Sequence, residues 1–183
     1  MKNTPVERFA DIKNTLLERG IEHVKIGVFD SDGILRGKYL SRDKFLAGLN
    51  EELAFCDVVL GWDSHDQLYD NTRFTGWHTA YPDAPVRVLP LTQREIPFEP
   101  KTALFLGEFA GAAELVCPRG TLRRVLERAA GMGYQVSAAA EFEFFVFEET
   151  PRSVREKGYR GLQTLTPGAF GYSVLRNSVH SSL

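Results

Sequence analysis

Cysteine is scarce in this sequence. The two cysteines, Cys56 and Cys117, lie far apart and in no CxxC or Cys/His spacing, which argues against a disulfide framework and against a thiolate zinc site. Both read as reduced structural thiols. Long apolar runs are missing as well: no stretch approaches the roughly 18 apolar residues of a membrane span, and the N-terminus lacks the basic-then-apolar layout of a signal peptide. The expectation is a cytoplasmic protein with no membrane partner. An excess of charge of one sign is also absent. With 22 Lys and Arg against 24 Asp and Glu the net charge is −2, too balanced to suggest a nucleic-acid partner. Neither GxxxxGK nor GxGxxG occurs, so no glycine-rich phosphate cradle can be read from the chain.

What is present is a globular composition. At 183 residues, 43% hydrophobic and 25% charged, the chain can bury a core as one large domain or two small ones. "TPVERFADIKNTLLERG" places Thr4 as N-cap, Pro5 at the first helical position, Glu7 in a capping box and Gly20 past the end, and predicts a leading helix. "HVKIGVFDSDGILRGKYL" alternates, turns at Asp30 to Gly33 and resumes, the pattern of a β-hairpin. "SRDKFLAGL" predicts a short helix capped by Ser41, and "LAFCDVVLG" a strand. A long polar and aromatic loop, about 62 to 85, carries Asp63, His65, Asp66, Asp70, Trp77 and Asp83. Loops of that length are functional or disordered, and the tryptophans favour an ordered, functional one. "VRVLP" and "TALFLGEF" read as strands, Gly111 as a turn, and "CPRGTLRRVLERAAGMG" as an amphipathic helix. The closing "YSVLRNSVHSSL" has helical spacing without a stop signal, as if cut through a helix.

Residues 139–150, "AAEFEFFVFEET", are built like a buried strand yet carry Glu141 and Glu143. In a strand these two share a face about 6 to 7 Å apart, with Phe142, Phe144 and Val146 on the other. Desolvating either carboxylate costs several kcal/mol unless it is paired or binds a metal. Water on that face, nearby arginines, or a divalent cation such as Mg²⁺ or Mn²⁺ would each resolve the conflict. Periodicity leaves a solvated sheet face and a metal site both open.

The same stretch resembles the metal-binding strand of the glutamine synthetase family, Gly-x-Glu-x-Glu-Phe followed by an apolar run. "DSDGILRGKYL" is similar to the N-terminal hairpin of the branch that includes γ-glutamylputrescine synthetases. "GWDSHDQ" and "YPDAPVRVLP" fall where the family's active-site loop lies, and "CPRGTLRRVLERA" is similar to the opening helix of its catalytic domain. The matches come in the family's order. They depart at Ala139, where Gly is usual, and at Ser64 and His65, where many members have Gly-Ser; the second departure bears on which amine the site accepts.

The fold implied by this resemblance is α+β: a leading helix at residues 1–20, an N-terminal β-grasp domain at 21–115, and the incomplete beginning of the catalytic domain at 116–183. Family members are much longer, so the chain is expected to be an N-terminal or truncated portion. The implied activity is ATP-dependent ligation: the γ-carboxylate of glutamate attacks the γ-phosphate of ATP, and ammonia or an amine takes the resulting γ-glutamyl phosphate. The implied cofactor is Mg²⁺ or Mn²⁺, with ATP as substrate and a ring-shaped homo-oligomer as the full-length assembly. Glu143 would hold the metal near the glutamate carboxylate and Glu141 the one at the ATP phosphates. Asp63 matches the aspartate that helps bind ammonium and take its proton, and Asp83 a second loop aspartate near that site. A turn-capping role stands beside each of these aspartates. Arg36 and Lys38 read as a solvated or interface face, His65 as a surface loop histidine, and His180 as facing solvent or a partner. Two rivals remain: a γ-glutamyl ligase for a polyamine or other amine, and a non-catalytic homologue that assembles with full-length chains.

Overall fold

The computed structural model describes residues 5–50, 53–166 and 173–179, and the chain divides into two compact units, Met1–Val136 and Ser137–Leu183. Thr4, His180 and Leu183 lie outside the described residues.

The first unit opens with helix α1, Pro5–Glu18, whose Ile12 and Leu16 are buried. Gly20 ends it in the left-handed region at φ 63°, and the Ile21 amide reaches back to the Leu16 carbonyl at 2.9 Å, a closing turn that glycine adopts without steric cost. Strands β1, His23–Phe29, and β2, Leu35–Ser41, form the predicted hairpin, with Val28 opposite Arg36. Helix α2, Arg42–Asn50, follows, and the Ser41 hydroxyl accepts from the Lys44 amide at 3.3 Å. The strand read over "LAFCDVVLG" is shorter than expected: β3 covers Leu53–Cys56, and Asp57–Leu60 coil into a 3-10 turn.

Strand β4 is longer than expected. It runs Asp83–Glu95, while β5 spans Thr102–Phe109. Pro90 carries no amide for the ladder, and the pairing of β4 with β5 shifts register between Leu89 and Arg94. There Thr92 substitutes, its hydroxyl oxygen accepting from the Leu106 amide at 2.9 Å. The sheet order is β2-β1-β5-β4-β3, with β1 and β5 parallel at its centre and the other pairings antiparallel. Val24, Ile26 and Val28 of β1 and Phe105 and Phe109 of β5 are buried with Phe45 of α2, whose ring lies 4.9 Å from that of Phe105. Lys38 on β2 reaches the Ala54 carbonyl on β3 at 2.7 Å, so the two outer strands curl toward each other. Helix α3, Pro118–Gly131, begins with its proline in the first turn. Cys117 is buried and Cys56 half-buried, both as free thiols, in line with the sequence reading.

The second unit has less regular structure. Residues 137–146 form no helix or strand, and among the described residues an isolated bridge joins Phe147 to Thr164. Helix α4, Pro151–Glu156, starts at a reciprocal cap: Thr150 Oγ1 accepts from the Ser153 amide at 3.1 Å, and Ser153 Oγ from the Thr150 amide at 2.9 Å. Helix α5, Val174–Val179, is the predicted closing helix. Among the described residues no helix is long and apolar enough to cross a membrane.

Glu149 ties this unit together. Its carboxylate accepts the Gln163 amide at 2.7 Å, the Lys157 ammonium and the Ser153 hydroxyl. The Gln163 amide first, then Lys157 and Ser153, hold its pKa at about 2, below the ordinary 4.5. A carboxyl lowered on folding stabilises fully above its unfolded value and loses that contribution as pH falls toward the folded one. Exchange of the Gln163 amide is therefore expected to stay slow from neutral pH to about 4 and to accelerate, beyond its intrinsic pH dependence, as pH approaches about 2; amide exchange followed by NMR checks this.

Candidate active site

Asp63 follows the 3-10 turn and heads a tight loop closed by a bridge between Trp62 and Leu68. Its amide bonds the Gln67 carbonyl at 3.0 Å, and its carbonyl accepts from the Asp66 amide at 3.1 Å. Asp66 sits at φ 61°, a left-handed conformation that aspartate tolerates better than most residues. Asp63 Oδ1 accepts two further amides, His65 at 2.8 Å and Gln67 at 3.0 Å. Those two backbone donors, Gln67 first, hold the Asp63 carboxyl below its ordinary pKa. Both bonds fall on Oδ1, so one side chain caps the turn with a single oxygen, and Asp63 as a whole is half-buried.

Of the two readings of Arg36, a solvated or an interface face, the structure disfavours the first. The Arg36 side chain is only 18% exposed, because its guanidinium is enclosed: Nε donates to Asp30 Oδ2 at 2.7 Å, Nη1 to Asp66, Nη2 to the Asp63 carbonyl at 3.2 Å, and the group lies 4.9 Å from the Trp62 ring. Asp30, the first residue of a stretch read as a plain turn, is fully buried. Lys38 is exposed, in line with the solvated reading, with its ammonium on the Ala54 carbonyl and 4.8 Å from the centre of the Phe55 ring. His65 is exposed, as expected, beside Ser64.

The long loop is ordered. Buried Thr75 donates to buried Asp57, the Cys56 thiol meets the Tyr81 carbonyl at 3.2 Å, and the Asp57 amide bonds Pro82 at 2.9 Å. Asp83 opens β4 opposite Cys56, exposed at the base of this loop. Neither Asp57 nor Thr75 stood out in the sequence. Each matters through a partner 18 residues away, and no local pattern marks such a pair.

Glu141 and Glu143 lie in the other unit. The buried strand expected around them is not formed: residues 134–146 have no ladder, and Phe142, Phe144 and Phe145 are 86%, 78% and 70% exposed. A strand exists only with a partner, and the described residues of this unit supply one bridge. Both carboxylates are exposed, with no ion pair among the described residues. As a donor set they suit Mg²⁺, which takes one or two carboxylates and keeps waters for phosphate to displace. Among the described residues no group of three acidic, His or Cys side chains gathers to complete a protein-only cage. The structure thus places Asp63 and Asp83 on the first unit and Glu141 and Glu143 on the second.

Residues 115–177 match the family described as glutamine synthetase, catalytic domain, and over 161 residues the chain is 43% identical to type-1 glutamine synthetase 2 of Dictyostelium discoideum, covering 86% of this chain and 31% of that protein. The chain belongs to the glutamine synthetase family. Glutamate–isopropylamine ligase of a Pseudomonas species is 30% identical over 94% of this chain and 38% of its own length. Gamma-glutamylethanolamide synthetase GlnA4 of Streptomyces coelicolor is 33% identical over 85% of this chain and 34% of its own. The chain spans roughly a third of the length of these relatives. A solved GmaS/ADP complex, 20% identical, shares the fold at TM-score 0.51 over 67% of this chain and 26% of that one. The glutamine synthetase match from residue 115 takes in α3 and the acidic segment, in agreement with the resemblance of both in the sequence.

Proposed function

We propose that the chain is the N-terminal part of an ATP-dependent ligase that forms an amide on the γ-carboxylate of glutamate, taking ammonia, through γ-glutamyl phosphate. One observation carries the reading: glutamine synthetase, glutamate–isopropylamine ligase and γ-glutamylethanolamide synthetase all align with at least 85% of the chain, and all three names describe glutamate joined to a nitrogen nucleophile. A second reading, an amine in place of ammonia, is favoured by Ser64 and His65 and by the amine in two of those names. A coupled phosphate-release assay offering ammonia, putrescine, ethylamine, isopropylamine and ethanolamine to the full-length ligase separates the two; no turnover with any of them refutes both and favours a non-catalytic assembly subunit.

In this reading Glu143 and Glu141 hold Mg²⁺ or Mn²⁺. The bound ion neutralises phosphate charge. Glu143 orients the end of the site nearer the glutamate carboxylate and Glu141 the end nearer ATP. Asp63 binds the cationic form of the acceptor and accepts its proton at Oδ2, a role for which a carboxylate held ionised is suited, and Asp83 adds negative charge beside it. The central parallel pair flanked by hairpins supports assigning residues 21–115 to the β-grasp domain, with 116–183 as the opening of the catalytic domain. Subunits form a homo-oligomeric ring in the cytoplasm.

On this reading the 183 residues alone are inactive, because two carboxylates neither complete the metal's surroundings nor bind ATP. The purified chain with Mg²⁺, ATP, glutamate and ammonia is expected to release no phosphate above a blank. Release that scales with chain concentration would contradict the assignment.

A further inference from the structure

We propose that Arg36 is the positioning residue of the Asp63 loop: it holds the loop in the shape that presents the Asp63 carboxylate to a cationic acceptor, ammonium or a protonated primary amine. This rests on the reading of Asp63 given above and adds a residue to it. The guanidinium is a rigid fork of donors, and here its base is fixed. Asp30 is fully buried, its Oδ1 accepts the amides of Asp32 at 3.0 Å and Ile34 at 2.8 Å, and its Oδ2 accepts Arg36 Nε at 2.7 Å. The fork then projects from the β-hairpin onto three residues of the loop: the Trp62 ring, the Asp63 carbonyl and the Asp66 carboxylate. The loop's own bonds, Asp63 to Gln67 and Asp66 to Asp63, span only a few residues. They close the turn without fixing where it points; Arg36 ties it to the sheet.

Charge supports the same assignment. A bare arginine next to Asp63 would repel an arriving cation, but Arg36 is paired with Asp30 and Asp66, and one guanidinium among three carboxylates leaves the cluster net negative. Tyr69 responds to the negative field: desolvation first, then Asp32, Asp63 and Asp30, raise its hydroxyl above the ordinary pKa. Lysine could keep one ion pair here, but a single ammonium cannot fork to three oxygens while stacking on an indole.

The test compares Arg36→Lys, Asp66→Asn and Asp63→Asn in the full-length ligase. Arg36→Lys retains a cation for buried Asp30, and Asp66→Asn alters only the outward bond, so at least one variant keeps the fold. The expected result is an acceptor KM raised about tenfold or more in Arg36→Lys and by a smaller factor in Asp66→Asn, with KM for glutamate and ATP within about twofold of wild type. In the 183-residue chain, Arg36→Lys should also speed amide exchange at His65 and Gln67, the donors to Asp63. If Asp63→Asn raises the acceptor KM while the Arg36 and Asp66 variants leave both KM and exchange unchanged, the positioning role is overturned alone. If Asp63→Asn itself leaves the acceptor KM unchanged, the reading of Asp63 fails and the positioning role with it.

Discussion

Glu143→Gln and Glu141→Gln, each made in the full-length ligase, are expected to lower turnover at least about 100-fold while leaving the fold intact. The amide keeps the shape of the carboxylate and removes its charge, which is what a hard divalent cation binds. Both side chains are exposed and without an ion pair among the described residues, so the exchange breaks no salt bridge there. Placed on one face of a strand, as the family resemblance implies, the two carboxylates repel, and neutralising one leaves metal-free stability unchanged or slightly raised. Turnover measured against Mg²⁺ concentration, with thermal melts in chelator, checks both parts. Near wild-type turnover at limiting Mg²⁺ would remove that glutamate from the metal's ligands.

The acidic segment also marks where the sequence stops being sufficient. Alternation told which side chains of residues 139–150 would share a face, but a ladder needs a second strand, and no periodicity announces whether one is present. Helices α1, α2 and α3 and the hairpin were legible because their signals are local: Pro5 and Gly20, Ser41 before a short amphipathic run, Pro118 opening α3. Strand β4 outran its reading at Pro90, where the Thr92 hydroxyl accepts the Leu106 amide and the strand resumes in a shifted register. Helix α4 went unread although Thr150 and Pro151 spell its start, since at six residues it has too little periodicity to stand out. Asp63 and Asp83 were singled out by resemblance and by no local pattern. For Arg36 the sequence left a solvated and an interface face open, because its partial burial depends on Trp62, Asp63 and Asp66, more than twenty residues along the chain.

Mixing two inactive full-length variants, Asp63→Ala and Glu143→Ala, in equal amounts is expected to restore activity to about a quarter of that of unmutated chains. The aspartates and the glutamates lie on two different units of the chain. In the proposed ring, the site forms between one subunit's catalytic domain and its neighbour's N-terminal domain, so Asp63 serves the site next door. Such a head-to-tail contact closes a ring without any residue meeting its own copy. An undamaged site then arises wherever the Glu143→Ala chain lends its N-terminal domain to an Asp63→Ala neighbour. If Asp63 instead serves its own chain, every site carries one lesion, mixing restores nothing, and the intersubunit assignment falls together with the ring. Phosphate release after co-refolding, compared with each variant alone, decides between them.

The exposed run from Phe142 to Phe147 has a bearing beyond catalysis. Short aromatic and β-branched windows without charge stack on copies of themselves, and sequences guard them with flanking or interrupting acids. Glu141, Glu143 and Glu148, all exposed, stand as such gatekeepers while the segment is uncovered. Two of these gatekeepers, Glu141 and Glu143, are the carboxylates proposed to hold the cation, so on that proposal a substitution that removes either would also weaken the guard against self-association, and removal of both would leave Glu148 alone to supply it.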